Sequence, residues 1–128
     1  MTRRLLVIDD AAIIREIIKD TATAAGWTIA GEAADGRQGI DRYLELKPDA
    51  VTLDLVMPQY DGLYALRGIV AADPNARVLV VSALEQKAVL KEAFQAGAAD
   101  FLVKPFDKNV LADTLAQLVP EEAVAGPA

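Results

Sequence analysis

Short apolar runs alternate with longer amphipathic segments along the whole chain. The apolar runs are rich in β-branched residues and begin near Leu5, Thr28, Ala50, Val78 and Asp100. Each run is followed by a segment in which apolar residues recur at three- and four-residue steps, which is the spacing of one helix face. The pattern therefore predicts five β-strands, each followed by an α-helix.

The apolar positions of these helices mark the faces that we expect to contact a sheet. In chain order they are Ile13, Ile14, Ile17, Ile18, Ala22 and Ala25; Ile40, Tyr43 and Leu44; Leu63, Leu66, Ile69 and Val70; Val89, Leu90, Ala93 and Phe94; and Val110, Leu111, Leu115 and Leu118. Gly26, Gly97 and Pro120 stand where three of the helices should end.

Strands separated by helices predict an α/β protein with a parallel sheet, because parallel neighbours need crossover connections. Helices should then cover both faces of the sheet. The 128 residues suit one domain, and no linker or low-complexity block divides them. We expect a single domain over residues 1–119. Residues 120–128, which are mostly proline, glutamate and small residues, should form a flexible tail.

Composition narrows the classes of function. The apolar runs, such as Leu5 to Ile8, are far shorter than a membrane-spanning helix, although 53% of the residues are hydrophobic. The segment after Met1 has too few apolar residues for a signal peptide, and the chain has no cysteine. We therefore expect a cytoplasmic protein. The net charge of −6 disfavours nucleic-acid binding, since phosphate backbones are held by basic surfaces.

Polar residues stand at the carboxyl ends of four predicted strands. Asp9 and Asp10 follow the first strand, Asp54 the third, Ser82 the fourth and Lys104 the fifth. Taken singly, each has an ordinary explanation as a helix cap, a turn residue or a solvated charge. Their joint placement at the edge where parallel sheets bind ligands favours a functional site.

Three carboxylates at one edge need a positive partner. If the first and third strands are neighbours, each pair of carboxylates about 4 Å apart repels by roughly 4 kcal/mol at an effective dielectric constant near 20. Mg²⁺ suits such an all-oxygen site, and the chain has no histidine or cysteine that would favour zinc. Lys104 adds an ammonium group that can pair with Asp54 or with a phosphoryl oxygen.

These residues resemble the CheY-like receiver family of two-component signalling. The resemblance runs from Leu5 to Leu118. Its motifs, in order, are Asp9-Asp10, the segment from Leu53 to Gly62, Ser82-Ala83 and Lys104-Pro105-Phe106. The resemblance implies a doubly wound, flavodoxin-like (βα)5 fold with strand order 2-1-3-4-5 and helices on both faces. It also implies a cis peptide bond between Lys104 and Pro105.

The resemblance assigns a metal site and a phosphoryl acceptor to named residues. Asp54 accepts the phosphoryl group. Asp10, Asp54 and the backbone carbonyl of Val56 bind Mg²⁺ directly, and Asp9 acts through a water molecule. Lys104 contacts the phosphoryl group.

The resemblance also implies a switch. Ser82 contacts the phosphoryl group and is drawn toward it, and Phe101 takes the place of the family's aromatic switch residue. Phe101 lacks the hydroxyl of the tyrosine that is common at this position. The movement remodels the surface formed by the fourth helix, the fifth strand and the fifth helix.

The implied function is that of a stand-alone response regulator of the chemotaxis-regulator type. A phosphohistidine on a sensor kinase or a histidine phosphotransfer protein donates the phosphoryl group. The receiver catalyses only its own phosphorylation and dephosphorylation, so it is a signalling switch rather than an enzyme. Its output is the docking of an effector protein, as in chemotaxis or motility. We expect a monomer that neither binds nucleic acid nor inserts into a membrane.

Three alternatives stay open at this point. The chain could pass its phosphoryl group to a histidine phosphotransfer protein as a shuttle or sink. It could be a Mg²⁺-dependent phosphatase with Asp54 as nucleophile, but such enzymes carry a second aspartate where this chain has Val56. It could also dock on partners without phosphate, which the joint presence of the acidic residues, Ser82 and Lys104 disfavours.

The expected repulsion among the carboxylates gives a first prediction. Replacing Asp54 with alanine removes one of the repelling charges, so it should raise the melting temperature in Mg²⁺-free buffer. Thermal unfolding followed by circular dichroism in the presence of EDTA measures this change. An unchanged or lower melting temperature would count against repulsion at this edge.

Overall fold

The computed structural model describes residues 2–57, 62–83 and 87–120. Strands and helices alternate along the chain. The strands are β1 (Arg4–Ile8), β2 (Thr28–Ala33), β3 (Ala50–Leu53), β4 (Val78–Ser82) and β5 (Asp100–Val103). The helices are α1 (Ala12–Ala24), α2 (Gly36–Leu46), α3 (Gly62–Ala72), α4 (Lys87–Gln95) and α5 (Lys108–Leu118). The predicted alternation is confirmed, and each strand begins within one residue of its predicted start.

All strand pairs are parallel, and the strands lie in the order β2-β1-β3-β4-β5. This is the order that the resemblance implies. β1 therefore lies between β2 and β3, and Ile8 pairs in register with Leu53. The register sets the residues that follow these two, Asp9 and Asp54, side by side at the carboxyl edge.

Alternate residues of the inner strands face two separate cores. Leu6, Val51 and Val80 contribute to the core beneath α2, α3 and α4, which also contains Leu66 and Ile69. The core on the opposite face lies beneath α1 and α5. Its buried members include Leu5, Val7, Leu79, Ile18 and Leu111. Because the inner strands are covered on both faces, they are apolar throughout, as expected for a parallel sheet.

Four apolar residues predicted to face the sheet are instead exposed. They are Ile13 (68% exposed), Leu44 (52%), Phe94 (47%) and Val110 (45%). Each neighbours a residue that is at least partly buried, and successive residues of a helix are rotated by about 100°. A helix lying on a sheet buries only one stripe of its surface, so the wider predicted faces were wrong at their edges.

The amino end of the sheet is held by Arg3, which is 8% exposed. Its guanidinium lies 4.8 Å from the centroid of the Trp27 ring. It also donates to the carbonyl of Val119 (3.2 Å) and to that of Ala25 (3.2 Å). This cation therefore ties the segment before β1 to the ends of α5 and α1.

The predicted tail lies outside the described residues from residue 121 onward. α5 ends at Leu118, two residues before Pro120, as predicted. None of the helices in the described ranges is both long and apolar enough to cross a membrane.

Gly62, the first residue of α3, lies against the backbone that carries Asp54. A Cβ atom at this position would lie 2.2 Å from the carbonyl oxygen of Asp54 and 2.4 Å from the Cα of Leu55. Backbone atoms of a buried strand end cannot move aside easily. Glycine is therefore required here by close approach.

We accordingly expect Gly62→Ala to destabilise the protein by about 1–3 kcal/mol, the usual cost of overpacking. Gly68→Ala in the same helix is the matched control, because its Cβ would meet chiefly the terminal Cδ1 of Ile40 (2.4 Å), which can rotate away. Urea denaturation of both variants measures the free energy of unfolding. Equal effects of the two substitutions would contradict the backbone clash.

Candidate functional site at the carboxyl edge of the sheet

Three aspartates converge at the carboxyl edge of the sheet. Asp9 follows β1 and is 1% exposed, and Asp54 follows β3 and is 5% exposed. Asp10 is exposed to solvent. One carboxylate oxygen from each of the three lies within 4.8 Å of the others. The structure thus brings together the three carboxylates that the sequence placed at this edge.

The backbone holds one oxygen of each buried carboxylate. The N–H of Ala11 donates to Oδ1 of Asp9 (2.9 Å), and the N–H of Val56 donates to Oδ1 of Asp54 (3.0 Å). Such bonds from two residues ahead are typical of aspartates that open turns. They fix the orientation of both side chains and leave each Oδ2 for another partner.

Lys104, from the segment after β5, is that partner. Its Nζ lies 2.6 Å from Oδ2 of Asp9 and 3.2 Å from Oδ2 of Asp54. The lysine side chain is only 16% exposed. The ammonium thus offsets part of the repulsion between the carboxylates of Asp9 and Asp54. Three carboxylates and one ammonium still leave two negative charges uncompensated.

Burial and charge act in opposite directions on these groups. Burial by itself would lower the pKa of Lys104, but its hydrogen bond to Asp9 and the charge of Asp54 outweigh this effect and raise the pKa. Burial raises the pKa of Asp9, although the hydrogen bond from Lys104 opposes that shift. The lysine therefore stays protonated and keeps its positive charge at the site.

Ser82 and Lys104 are linked through the backbone. Ser82 ends β4 and is fully buried, and its carbonyl accepts a hydrogen bond from the N–H of Lys104 (2.9 Å). The peptide bond between Lys104 and Pro105 is cis, which confirms the isomer that the resemblance implies. The hydrogen bond to Ser82 holds the backbone of Lys104 beside the end of β4.

The other predicted residues lie at or near this edge. Val56 follows Asp54 by two residues and is 51% exposed. Phe101 is partly buried and packs against the core beneath α2, α3 and α4. In β5 it pairs with Val80 of β4, two residues before Ser82. The part of the motif from Pro58 to Asp61 lies outside the described residues.

Arg15 of α1 also contacts this edge, and the sequence pattern did not indicate it. Its Nη1 donates to the backbone carbonyl of Asp9 (2.7 Å), and its Nε donates to Oε1 of Glu32 in β2 (2.7 Å). The only signal in the sequence was its position six residues after Asp9. That separation does not reveal that the side chain turns back to the strand end.

The donor set suits a hard divalent cation. The three aspartates offer carboxylate oxygens, which Mg²⁺ prefers, and their charge exceeds what Lys104 compensates. Asp10 has no side-chain hydrogen bond within the described part of the chain, so its carboxylate is available for a metal. The residues present therefore fit Mg²⁺, the ion expected from the sequence.

Comparison with known proteins agrees with this geometry. Residues 5–116 match the family model of the response regulator receiver domain. The chain is 47% identical over 115 residues to the chemotaxis protein CheY of Thermotoga maritima, covering 90% of this chain and 96% of that protein. It is 43% identical over 109 residues to the chemotaxis protein CheY of Bacillus subtilis, with coverage of 85% and 91%.

Solved structures agree as well. A structure of the CheX-CheY-BeF3-Mg complex from Borrelia burgdorferi superposes with a TM-score of 0.88 at 32% identity, covering 91% of this chain and 88% of that chain. The response regulator domain of Thermotoga maritima CheB gives a TM-score of 0.83 at 32% identity and covers both chains completely. The sheet order, the edge site and these matches together show that the chain belongs to the response regulator receiver domain family of two-component signalling.

Proposed function

We propose that this protein is a phosphorylation-activated switch in which Asp54 accepts a phosphoryl group. The donor is a phosphohistidine of a sensor kinase or of a histidine phosphotransfer protein. The observation that carries the proposal is the placement of the Lys104 ammonium 2.6 Å from Asp9 and 3.2 Å from Asp54, at an edge where three carboxylates converge. Membership of the receiver family, in which phosphorylation-dependent switching is general, supports it.

In the proposed reaction a carboxylate oxygen of Asp54 attacks phosphorus. A new O–P bond forms, the N–P bond of the phosphohistidine breaks, and its electron pair returns to the imidazole ring. Oδ2 is the better candidate for the attacking oxygen, because Oδ1 is held by the backbone N–H of Val56 at 3.0 Å, whereas the contact of Oδ2 with the Lys104 ammonium is longer, at 3.2 Å. Oδ2 also faces Lys104, which can follow the charge that develops on the phosphoryl oxygens.

The metal would be held by Asp10, Asp54 and the carbonyl of Val56, with Asp9 acting through water. When bound, Mg²⁺ supplies positive charge that screens the phosphoryl oxygens from the acidic site. The protein's own contribution is positioning: backbone N–H groups orient Asp9 and Asp54, and the partly buried ammonium of Lys104 lies between them. The receiver thus catalyses its own modification and is a signalling switch rather than an enzyme with a separate substrate.

We assign the response to Ser82 and Phe101. A phosphoryl group that binds the Ser82 hydroxyl in one conformation better than in the other shifts the population toward that conformation. β4 and β5 connect the two positions, because Val80 pairs with Phe101 and Ser82 with Val103. Phe101 is only partly buried, so an inward turn of its ring would remove further apolar surface from water.

The output surface comprises exposed residues of α4 and α5 together with β5. These residues are Lys87, Lys91, Phe94, Gln95, Lys108, Asn109 and Val110. The mixture of lysines with Phe94 and Val110 can bury apolar area while pairing with acidic groups of an effector. We propose an effector of chemotaxis or motility, since the similar CheY proteins of Thermotoga maritima and Bacillus subtilis are chemotaxis proteins. We further propose that the protein acts as a cytoplasmic monomer with a receiver domain over residues 1–119.

Intact-protein mass spectrometry tests the phosphoryl transfer directly. After incubation with acetyl phosphate and Mg²⁺, we expect one phosphoryl adduct on the native protein, because Asp54 is the nucleophile. Asp54→Ala should show none, and neither should the native protein in EDTA. Lys104→Ala should form the adduct much more slowly, since the phosphoryl oxygens lose their fixed ammonium.

Asp73→Ala is the control for the loss of a carboxylate. Asp73 follows α3 and accepts a hydrogen bond from Tyr43 of α2 (2.6 Å), and it takes no part in the carboxyl-edge site. It should be phosphorylated like the native protein. Absence of an adduct on the native protein would favour a docking domain that works without phosphate. An adduct that persists in Asp54→Ala would move the acceptor to another residue.

The lifetime of the phosphorylated state gives a separate prediction. Val56 is half-exposed beside Asp54 and cannot orient an attacking water, and Leu84, two residues after Ser82, is also apolar but lies outside the described residues. Phosphate release from the isolated protein should therefore take minutes or longer. Val56→Asn should shorten the lifetime several-fold by offering a polar group to water.

Ile13→Asn is the matched control for that experiment, since Ile13 is also exposed and apolar but is not two residues from the phosphoryl acceptor. It should leave the rate of phosphate release unchanged. Release within seconds from the native protein would show that another feature controls hydrolysis.

A further inference from the structure

Arg15 joins the acidic site to the neighbouring strand. Its side chain is 17% exposed, and both described hydrogen bonds of its guanidinium are short. Nη1 lies 2.7 Å from the backbone carbonyl oxygen of Asp9, and Nε lies 2.7 Å from Oε1 of Glu32. A planar guanidinium that binds two acceptors in this way has little freedom to rotate.

Glu32 is a firm anchor for this bridge. Its Oε2 accepts a hydrogen bond from Lys19 (2.7 Å), while Oε1 accepts the bond from Arg15. The hydrogen bond from Lys19 and then that from Arg15 lower the pKa of Glu32, which stays ionised. Glu32 also pairs in register with Val7, two residues before Asp9. The bridge therefore runs from β2 to the turn directly after β1.

The position of Asp10 depends on this turn. Within the residues that the structure describes, its carboxylate has no hydrogen-bond partner that would orient it. What is held is the backbone on either side. Arg15 binds the carbonyl of Asp9, which belongs to the peptide group linking Asp9 to Asp10, and the N–H of Ala11 donates to Asp9 Oδ1 (2.9 Å).

We propose that Arg15 is a positioning residue for the divalent cation site, acting through the Asp9–Asp10 peptide group. By fixing the plane of that group, the guanidinium directs the free carboxylate of Asp10 toward Asp54. The inference rests on the proposed function, because it presumes that the three aspartates bind Mg²⁺. It adds a residue that touches neither the metal nor the phosphoryl group.

The sign of the effect separates positioning from charge. If Arg15 acted only through its positive charge, removing it would strengthen the binding of a cation to the acidic cluster. If Arg15 acts by holding the peptide group, removing it weakens that binding. Mutating a residue that orients a metal ligand typically lowers the metal affinity by about 10- to 100-fold.

The experiment is isothermal titration of the full chain with MgCl2 alone, for the native protein and three variants. We expect about tenfold weaker binding in Arg15→Ala, the lower end of the range for residues that orient ligands. Arg15→Lys should weaken binding in the same direction, because an ammonium keeps the charge but not the planar fork. Arg67→Ala is the matched control, since Arg67 also pairs with a glutamate of another element, Glu92 (2.6 Å), away from the site.

A second readout distinguishes positioning from general damage to the fold. At saturating Mg²⁺, acetyl phosphate should label Arg15→Lys to the same final extent as the native protein, so only the Mg²⁺ concentration required increases. Unchanged or tighter Mg²⁺ binding in the Arg15 variants overturns the inference alone. Absence of Mg²⁺ binding by the native protein overturns the proposed function as well. If Arg15→Ala does not fold, Arg15→Lys decides by the same criterion.

Discussion

The structure depends on the burial of two like charges side by side. Asp9 and Asp54 follow strands that are neighbours in register, and both are almost fully buried. Buried carboxylates are tolerated only when they are paired and hydrogen-bonded. Lys104 supplies the pairing and the backbone N–H groups supply the hydrogen bonds. The strand order therefore serves the electrostatics of the site. It places β1 beside β3, which brings the two carboxylates together, and it places β5 two strands from β3, from where Lys104 reaches them.

Several local features follow from this requirement. Lys104 reaches the carboxylates from the far side of β4, where its backbone N–H binds the carbonyl of Ser82. α3 begins against the backbone of Asp54, which only glycine at position 62 permits. Arg15 holds the turn after β1 from the opposite side. The acidic edge is thus braced by β2, α1, α3 and β5, each through one or two residues.

Much of the fold was predictable from the sequence, because strand starts and helix periodicity are local signals. The strand order was not, since it came from the resemblance and not from the apolar pattern. Positions such as Phe94 and Val110 were wrongly predicted as buried, because periodicity does not show how wide a stripe the sheet will cover. Arg15 was missed because its contacts join α1 to the end of β1 and to β2. Sequence spacing does not show contacts between elements that are brought together only by the fold.

The contacts of Arg3 at the amino end of the sheet have a practical consequence. Trp27 is the only tryptophan in the chain, it is 3% exposed, and the guanidinium of Arg3 lies over its ring. Trp27 precedes the amino end of β2, whereas Asp9 and Asp54 follow the carboxyl ends of β1 and β3. We therefore expect the fluorescence of Trp27 to respond first to changes where Arg3 joins the ends of α1 and α5. A fluorescence study of the carboxylates calls for a probe placed nearer to Asp9 and Asp54, at the other end of the sheet.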